Sequence, residues 1–460
     1  MDLAREADRD ALRAHLGGLY AGRPVLVGPG VLAGFTSTVA MLQEAGAGPV
    51  LVLSTARGAG PVPDVEIVEV PPPDTTSVTA ELRALDPLVR NLPEDVVVRI
   101  EAFDPDRRAV WFTLPFVTTD EPILDRPVTA GRPAAFVRLE DKLWAEELWA
   151  AVGIPRAPSH VVPPTRGALE DASASLGGDV VWSGDTREGF NGGGNYVRWV
   201  ATPEERAAAL PFFVEHCDRV RVLPFLDGVP CSIHGMVLPD GTAVFRPVEI
   251  AILRGPDRTF TYGGLSTFWD PPTADREEMR DVARRVGEYL RTTRGYAGMF
   301  GIDGVLTADG FRPTEINPRM SAGASAVTAS VDRQLFLLLQ ANVLAGRTPG
   351  ISARELESGV ALMDQVRIGK PLAVGETTLG GPDSYPVAWD GTRLSRSSED
   401  TGTVLELGDT PTGFFARLEP CRLLRPGDRL APLNAALLAF LDEEYDTGFG
   451  PLEPAPSLRG

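Results

Sequence analysis

Cysteine is nearly absent from this chain: Cys217, Cys231 and Cys421 are the only three in 460 residues, and none lies in a CxxC spacing. That excludes a disulfide framework and a thiolate zinc site, and it fits a reducing compartment. Histidine is almost as scarce. His15, His160, His216 and His234 form no HExxH-like cluster, so histidine-based metal chemistry is not expected. No apolar run approaches the ~18 residues needed to cross a bilayer. The opening "MDLAREADRD" has no apolar segment of the signal-peptide kind, and a cytoplasmic protein is expected. Positive charge is also short. The formal net charge of −19 argues against general binding to nucleic acid or to an anionic membrane, while leaving room for a local basic pocket.

What is present is an ordinary globular composition, 43% hydrophobic and 23% charged. At ~150 residues per domain the length suggests about three domains. The stretch "RPVLVGPGVLAGFTSTVAMLQEAGAGPVLVLS" reads as strand, glycine-rich turn, helix and strand, the opening of a parallel α/β domain that is expected to cover residues 1–128. Its turn carries Gly28, Gly30 and Gly34, close to the dinucleotide fingerprint but off the GxGxxG spacing. Ser54 and Arg57 follow the second strand, where an NADP 2′-phosphate would be met. An NADP-dependent oxidoreductase therefore stands as an alternative, beside the plainer reading of a tight turn.

Further on, "VRLEDKLWAEELWAAVGIPRAP" has the apolar spacing of a helix, with Gly153 at the cap position and Pro155 preventing continuation. "GGDVVWSGDTREGFNGGGNYVRWV" reads as strand, glycine-rich loop and strand. A string of β segments follows, with turns at Asp227-Gly228 and Asp240-Gly241. A helix is expected from about Ala274 to Thr293, and residues beyond about 350 read as β-rich with one late helix.

The stretch "FRPTEINPRMSAGAS" places Glu315 and Asn317 two apart, hence on one face of a strand, with Ile316 pointing the other way. A carboxylate beside an amide oxygen suits a hard cation such as Mg²⁺; a half-buried edge strand with a polar face is the plainer alternative. Upstream lies "GMFGIDGVLTADGF", which would pair with it as a hairpin. A three-residue loop, Ala308 to Gly310 with Gly310 left-handed, sets Asp303 directly opposite Glu315. Two carboxylates so placed repel unless a cation lies between them, and this favours the metal reading.

These segments resemble the ATP-grasp ligases, whose core joins a Lys-bearing helix, a glycine-rich strand-loop and a late hairpin with acid, then acid-x-Asn. Here the counterparts are "EDKLWAEELWAAVGIP", "REGFNGGGNYV" and "GIDGVLTADGFRPTEINPR", in the family's order across roughly residues 130–345. The arrangement looks closest to actinobacterial peptide ligases of the pheganomycin type. The resemblance implies a mixed α/β and α+β fold. It would comprise a Rossmann-like pre-ATP-grasp domain (1–128), an ATP-grasp domain (129–348) and a small β-rich C-terminal domain (349–460).

It also implies site residues. Asp303, Glu315 and Asn317 would hold two Mg²⁺ ions on ATP, and Arg319 would face the transferred phosphoryl group. Lys142 would meet the α-phosphate, the amides of Gly192, Gly193 and Gly194 would cover the β- and γ-phosphates, and the backbone at Pro224 and Leu226 would hold the adenine edge. Arg254 and Arg258 are candidates for holding the substrate carboxylate, and Glu249 for supporting a metal or the amine. The sequence departs from the family at Trp182, where a second ATP-binding lysine is usual, and at Leu223 and Pro230, where carboxylates are usual.

The expected function is an ATP-dependent ligase that joins a small-molecule or peptide carboxylate to an amine through an acyl phosphate. No nucleic-acid or membrane partner is expected, and a homodimer is left open. Trp182 keeps a non-catalytic ATP-binding sensor as a further alternative.

Overall fold

The computed structural model describes residues 1–58, 60–75, 78–187, 189–190, 192, 194–410 and 413–459, with residue 78 described by its backbone alone. The N-terminal part is a parallel sheet in the order β3-β2-β1-β4-β5. Its strands are β1 (Val25–Val31), β2 (Val50–Ala56), β3 (Glu66–Glu69), β4 (Val110–Phe112) and β5 (Val128–Thr129). The runs "VLV" in β1 and "VLVL" in β2 are apolar at every position because both sheet faces are covered. Val25, Val27, Val50 and Val52 enter one core, while Leu26, Leu51 and Leu53 enter another on the opposite face.

The glycines after β1 serve the chain's own packing. Gly28 has φ +111°, and a Cβ there would lie 2.5 Å from the Leu53 carbonyl oxygen; one on Gly30 would lie 2.9 Å from the Phe35 ring. Ser54 Oγ donates to Ala56 O at 3.0 Å, and Arg57 reaches Gly58 O at 3.0 Å. This is the tight-turn reading.

A small antiparallel sheet follows in the order β6-β9-β7-β8, made of β6 (His160–Val162), β7 (Val180–Gly184), β8 (Val197–Val200) and β9 (Val220–Pro224). The large antiparallel sheet runs β14-β13-β10-β11-β12-β15-β19-β18-β16-β17. Its strands are β10 (Val229–Leu238), β11 (Gly241–Arg254), β12 (Phe260–Ser266), β13 (Gly298–Thr307), β14 (Gly310–Asn317), β15 (Gly369–Gly375), β16 (Asp383–Trp389), β17 (Leu394–Arg396), β18 (Val404–Thr410) and β19 (Gly413–Glu419). The C-terminal strands thus continue this sheet, since β15 pairs with β12. Helix Thr273–Arg294 buries Met279, Val282, Ala283, Val286 and Leu290, an i, i+3, i+4 stripe, and ends on left-handed Gly295. On the other face of the sheet, helices Ala322–Ala329 and Arg333–Leu344 share one core with Met236, Phe245, Val248 and Leu265 and with the N-terminal sheet. Ile302 and Ile316 enter the core under helix Thr273–Arg294, so Asp303 and Glu315 stand on this second face.

The β13–β14 hairpin does place Asp303 opposite Glu315, but by a different device from the one expected. Thr307 pairs with Gly310, so the loop is only Ala308–Asp309, and a β-bulge at Thr314 restores the pairing. Thr314 Oγ1 donates to Asp303 O at 3.1 Å and fixes the bulge.

Candidate active site

The hairpin's alternation puts Asp303, Glu315 and Asn317 on one face, and the chain after it folds back with Arg319. Asn317 Nδ2 donates to Asp303 Oδ2 at 2.8 Å, while Arg319 donates to Asn317 Oδ1 at 3.0 Å and to Glu140 Oε1 at 2.9 Å. Helix Lys142–Val152 is capped by Asp141, which accepts from Leu143 N, and this aims Lys142 at Glu315, with which it forms an ion pair. Five of the expected residues therefore meet in one network. Burial, and then the charge of Glu315, push the Asp303 carboxyl up, to about 8. Burial would raise Glu315 too, but Lys142 and Arg221 outweigh it and hold Glu315 below the usual range.

Three supporting residues were not foreseen. Arg221, buried on β9, donates to Glu146 Oε1 at 3.1 Å, to Lys142 O at 3.2 Å and to Thr314 O at 2.8 Å. It ties the lysine helix to the bulge of the hairpin. Glu140, also buried, lies between Arg319 and Arg132, and the Arg132 contact is 2.5 Å. Burial would raise Glu140, yet the two guanidiniums hold it below the usual range. The available signal was Arg219 and Arg221 alternating with Val220 and Val222, an arrangement that places cations on one face of the strand and apolar residues on the other.

In the segment expected to meet adenine, Phe225 N donates to Asp179 O at 2.9 Å, which fixes Pro224–Leu226 beside β7. Leu223 is buried, opposite Val181. In the glycine loop, Gly192 O accepts from Thr79 Oγ1 at 2.7 Å, and Gly194 is left-handed with φ +77°. Gly193 lies outside the described residues. Trp182 corrects the expected correspondence. It points into the core of the small sheet, donates to Ser173 Oγ at 3.1 Å and packs edge-on against Phe213. The opposite face of β7 carries Val181 and Ser183, so the tryptophan leaves the cleft untouched.

The three substrate candidates are placed elsewhere. Glu249 is fully buried and pairs across from Cys231, whereas Asp303 pairs with Ser232; the two carboxylates therefore lie on opposite faces of the sheet. Its oxygens accept from Leu430 N at 2.6 Å, from Ala431 N at 3.3 Å and from Arg429 at 2.6 Å, at the N-terminus of helix Leu430–Tyr445. It is a helix cap, where a carboxylate meets orphan N–H groups and the positive dipole end, and it supports neither metal nor amine. Arg254 pairs with Asp227 at 2.7 Å and lies over Phe225, and Arg258 pairs with Glu205 at 2.5 Å and lies over Trp199. Each already has a carboxylate and an aromatic partner of its own, so neither is left free for a substrate anion.

Among the described residues, no three His, Cys, Asp or Glu side chains converge as a metal site. The donor set Asp303, Glu315 and Asn317 Oδ1 is all oxygen and two-thirds carboxylate. Such a set would suit a Mg²⁺ ion.

No protein-family model matches the sequence, and no curated protein does. Among solved structures the chain is similar to an ADP complex of N5-carboxyaminoimidazole ribonucleotide synthetase, at 13% identity and TM-score 0.51 over 92% of this chain and 98% of that one. It is similar to an L-amino acid ligase from Bacillus licheniformis at 15% identity and TM-score 0.53, over 94% and 98%. It is also similar to pyruvate carboxylase from Rhizobium etli, at 14% identity and TM-score 0.54 over 92% of this chain and 37% of that one. The chain shares the fold of these proteins, with the parallel-sheet domain before the large antiparallel sheet.

Proposed function

We propose that the protein is an ATP-dependent carboxylate–amine ligase. A carboxylate is a poor acyl donor because oxide would have to leave. Transfer of the ATP γ-phosphoryl group to it gives an acyl phosphate, and attack by an amine then expels phosphate, yielding an amide, ADP and phosphate. The chemistry asks for positioning and for neutralisation of charge, with little side-chain proton transfer.

The observation that carries this reading is the single network of Asp303, Glu315, Asn317, Arg319 and Lys142 on the cleft face. Mg²⁺ held by the first three would draw charge from the phosphates. Arg319, held in place by Glu140 and Asn317, offers a planar fork to the phosphoryl and acyl-phosphate oxygens. With Mg²⁺ held by Glu315, Lys142 would be left to face the nucleotide. Pro224 and Leu226 would offer backbone groups to adenine, and Gly192 and Gly194 would offer amides to the phosphates. Similarity of fold to an L-amino acid ligase supports an amino-acid or peptide substrate, the finer reading being pheganomycin-type peptide ligation in secondary metabolism inside the cytoplasm. The oxidoreductase and sensor alternatives lose their support, since Gly28 packs on Leu53 and Trp182 lies in a core.

The test is ADP release with ATP-Mg²⁺ against a panel of amino acids and peptides, with products identified by mass. No ADP and no new amide with any pair would overturn the proposal.

A further inference from the structure

Two glycines beside the Asp303 network have no backbone reason to be glycine. Gly301 lies inside β13 and Gly323 in the first turn of helix Ala322–Ala329, and neither has a positive φ. Glycine weakens a strand or a helix, so each position needs another cause. They share one, the imidazole of His234. A Cβ on Gly301 would lie 2.8 Å from His234 Cδ2, and one on Gly323 would lie 2.4 Å from His234 Cε1. A single methyl group on either side would displace the ring.

The strand pairing places this ring. His234 on β10 pairs with Gly301, and Gly301 pairs with Asn317. Ser232, two residues before His234, pairs with Asp303, so the ring is on the face of Asp303, Glu315 and Asn317. The space that Gly301 leaves between His234 and Asn317 is entered by Ser321. Its Oγ would lie 3.5 Å from a Cβ on Gly301, and it is 3.1 Å from His234 Nε2. Ser321 follows Arg319 by two residues and caps the helix, accepting from Ala324 N at 3.3 Å. Burial pushes the His234 imidazole down to about 3, so at neutral pH the ring carries one proton. On Nδ1, which is buried and has no partner among the described residues, that proton would make an orphaned N–H. Such donors are rarer in folded proteins than under-used acceptors. On Nε2 it is donated to Ser321 Oγ. The oxygen then accepts from His234 and from Ala324 N, both lone pairs are engaged, and its own O–H is left to donate elsewhere. Among the described residues it has no acceptor, and Ser321 is only half-buried, open to a ligand on this face.

We infer that the Ser321 hydroxyl, turned outward by His234, donates to an anionic oxygen of the acyl phosphate, with His234 as the positioning residue. This rests on the ligase reading for what the oxygen belongs to. As the amine attacks the acyl carbon, the C–N bond forms and the carbonyl π pair moves onto oxygen. That pair returns as the bond to phosphate breaks, and phosphate leaves with the electrons of that bond and takes up the amine's proton. Ser321 neither gains nor loses a proton. It holds a hydrogen bond to the oxygen on which charge develops, already oriented before the reaction.

The experiment separates the cap from the hydroxyl. Ser321→Gly caps nearly as well and removes the hydroxyl, while Ser321→Thr keeps both. In the full-length protein, kcat for amide formation should fall about a hundredfold in Ser321→Gly with the KM for ATP unchanged, and stay within about threefold in Ser321→Thr. His234→Leu should lose a similar factor, and His234→Gln, whose amide donates from the place of Nε2, should recover most of it. Oxygen-18 exchange between the bridging and non-bridging positions of ATP, run with the acid alone, tells the two oxygens apart. It is unchanged in Ser321→Gly if the hydroxyl serves the carbonyl oxygen, and falls with kcat if it serves the phosphoryl group. Nitrogen-15 spectra of the free protein, which has four histidines, should show the His234 proton on Nε2, the signals being identified by their loss in His234→Gln. A proton on Nδ1, a wild-type kcat in folded Ser321→Gly, or a His234→Gln no better than His234→Leu overturns the inference. If no pair of acid and amine gives ADP, it is the ligase reading that fails. The Ser321 assignment is then decided by inorganic phosphate binding with ADP-Mg²⁺ present, which should weaken about tenfold in Ser321→Gly. Equal affinity overturns it.

Discussion

Asp303 stands directly across the hairpin from Glu315, and the bulge at Thr314 is what brings them face to face. Without that bulge the Ala308–Asp309 loop would set Asp303 opposite Thr314 and turn Glu315 opposite Ile302, whose side chain belongs to the core beneath. Glu315→Gln keeps size and strand pattern and removes one charge from the metal face. The protein should still fold, while turnover falls a hundredfold or more, roughly 3 kcal/mol of lost charge stabilisation. Asp303→Asn should behave alike, and the double variant should lose less than the sum of the two, because both act on shared ions. Steady-state rates of folded variants under saturating Mg²⁺ check this, and a wild-type rate for Glu315→Gln would end the metal reading.

The same pair predicts a pH dependence. Burial and Glu315 raise the Asp303 carboxyl from 3.8 to about 8, so at pH 7 the pair retains a proton that the unfolded chain has lost. Between those values the folded state binds more protons than the unfolded one, and stability falls as pH rises through that window. Melting temperatures from pH 5 to 8 should therefore decline more steeply for the wild type than for Asp303→Asn. Binding of ATP-Mg²⁺ at pH 7 should release this proton. Calorimetry in buffers of different ionisation enthalpy measures that release, and equal apparent enthalpies in all buffers would contradict it.

How much of this was legible from the sequence follows from what each feature depends on. The alternation of Glu315 and Asn317 around Ile316 is a property of two adjacent strands, and so is the opposition of Asp303 and Glu315; both could be worked out from spacing. The bulge could not, because Gly310 is equally compatible with a two- or a three-residue loop, and the choice is made by what Thr314 bonds. Gly153 was readable as a cap because a left-handed position after an apolar stripe is a local requirement. Glu249 was misread because an isolated carboxylate on a strand does not reveal which sheet face is the cleft. That was decided by helix Leu430–Tyr445, some 180 residues downstream, arriving with its N-terminus on the opposite face. Trp182 was misread for the same reason. The motif gave its position in the strand, and packing of Ser173 and Phe213 gave its direction.

Gly28 provides a test that separates packing from cofactor binding. At φ +111°, with the Leu53 oxygen 2.5 Å from any Cβ, Gly28→Ala is both strained and obstructed. It should lower stability by about 1–3 kcal/mol. Wild-type protein titrated with NADPH should show no binding. A saturable NADPH signal, lost in Gly28→Ala, would return the oxidoreductase alternative.

Arg221 shows how the site is held together. Its guanidinium, buried on β9, bonds Glu146, the Lys142 carbonyl and the Thr314 carbonyl at once, and its charge helps hold Glu315 ionised. Arg221→Met keeps the apolar stem and removes the charge. It leaves Glu146 and two backbone carbonyls with a missing donor in a buried place, and breaking a buried pair in this way costs about 3–5 kcal/mol. The double variant Arg221→Met with Glu146→Leu removes the stranded carboxylate and should recover a large part of that loss. Stability and chemistry should then part company. Denaturant unfolding of the double variant should approach that of the wild type, whereas its turnover should stay depressed, because the bulge at Thr314 and the ionised state of Glu315 still lack their cation. If turnover recovers together with stability, Arg221 is only a clasp between the lysine helix and the hairpin, and its influence on Glu315 has no bearing on the reaction.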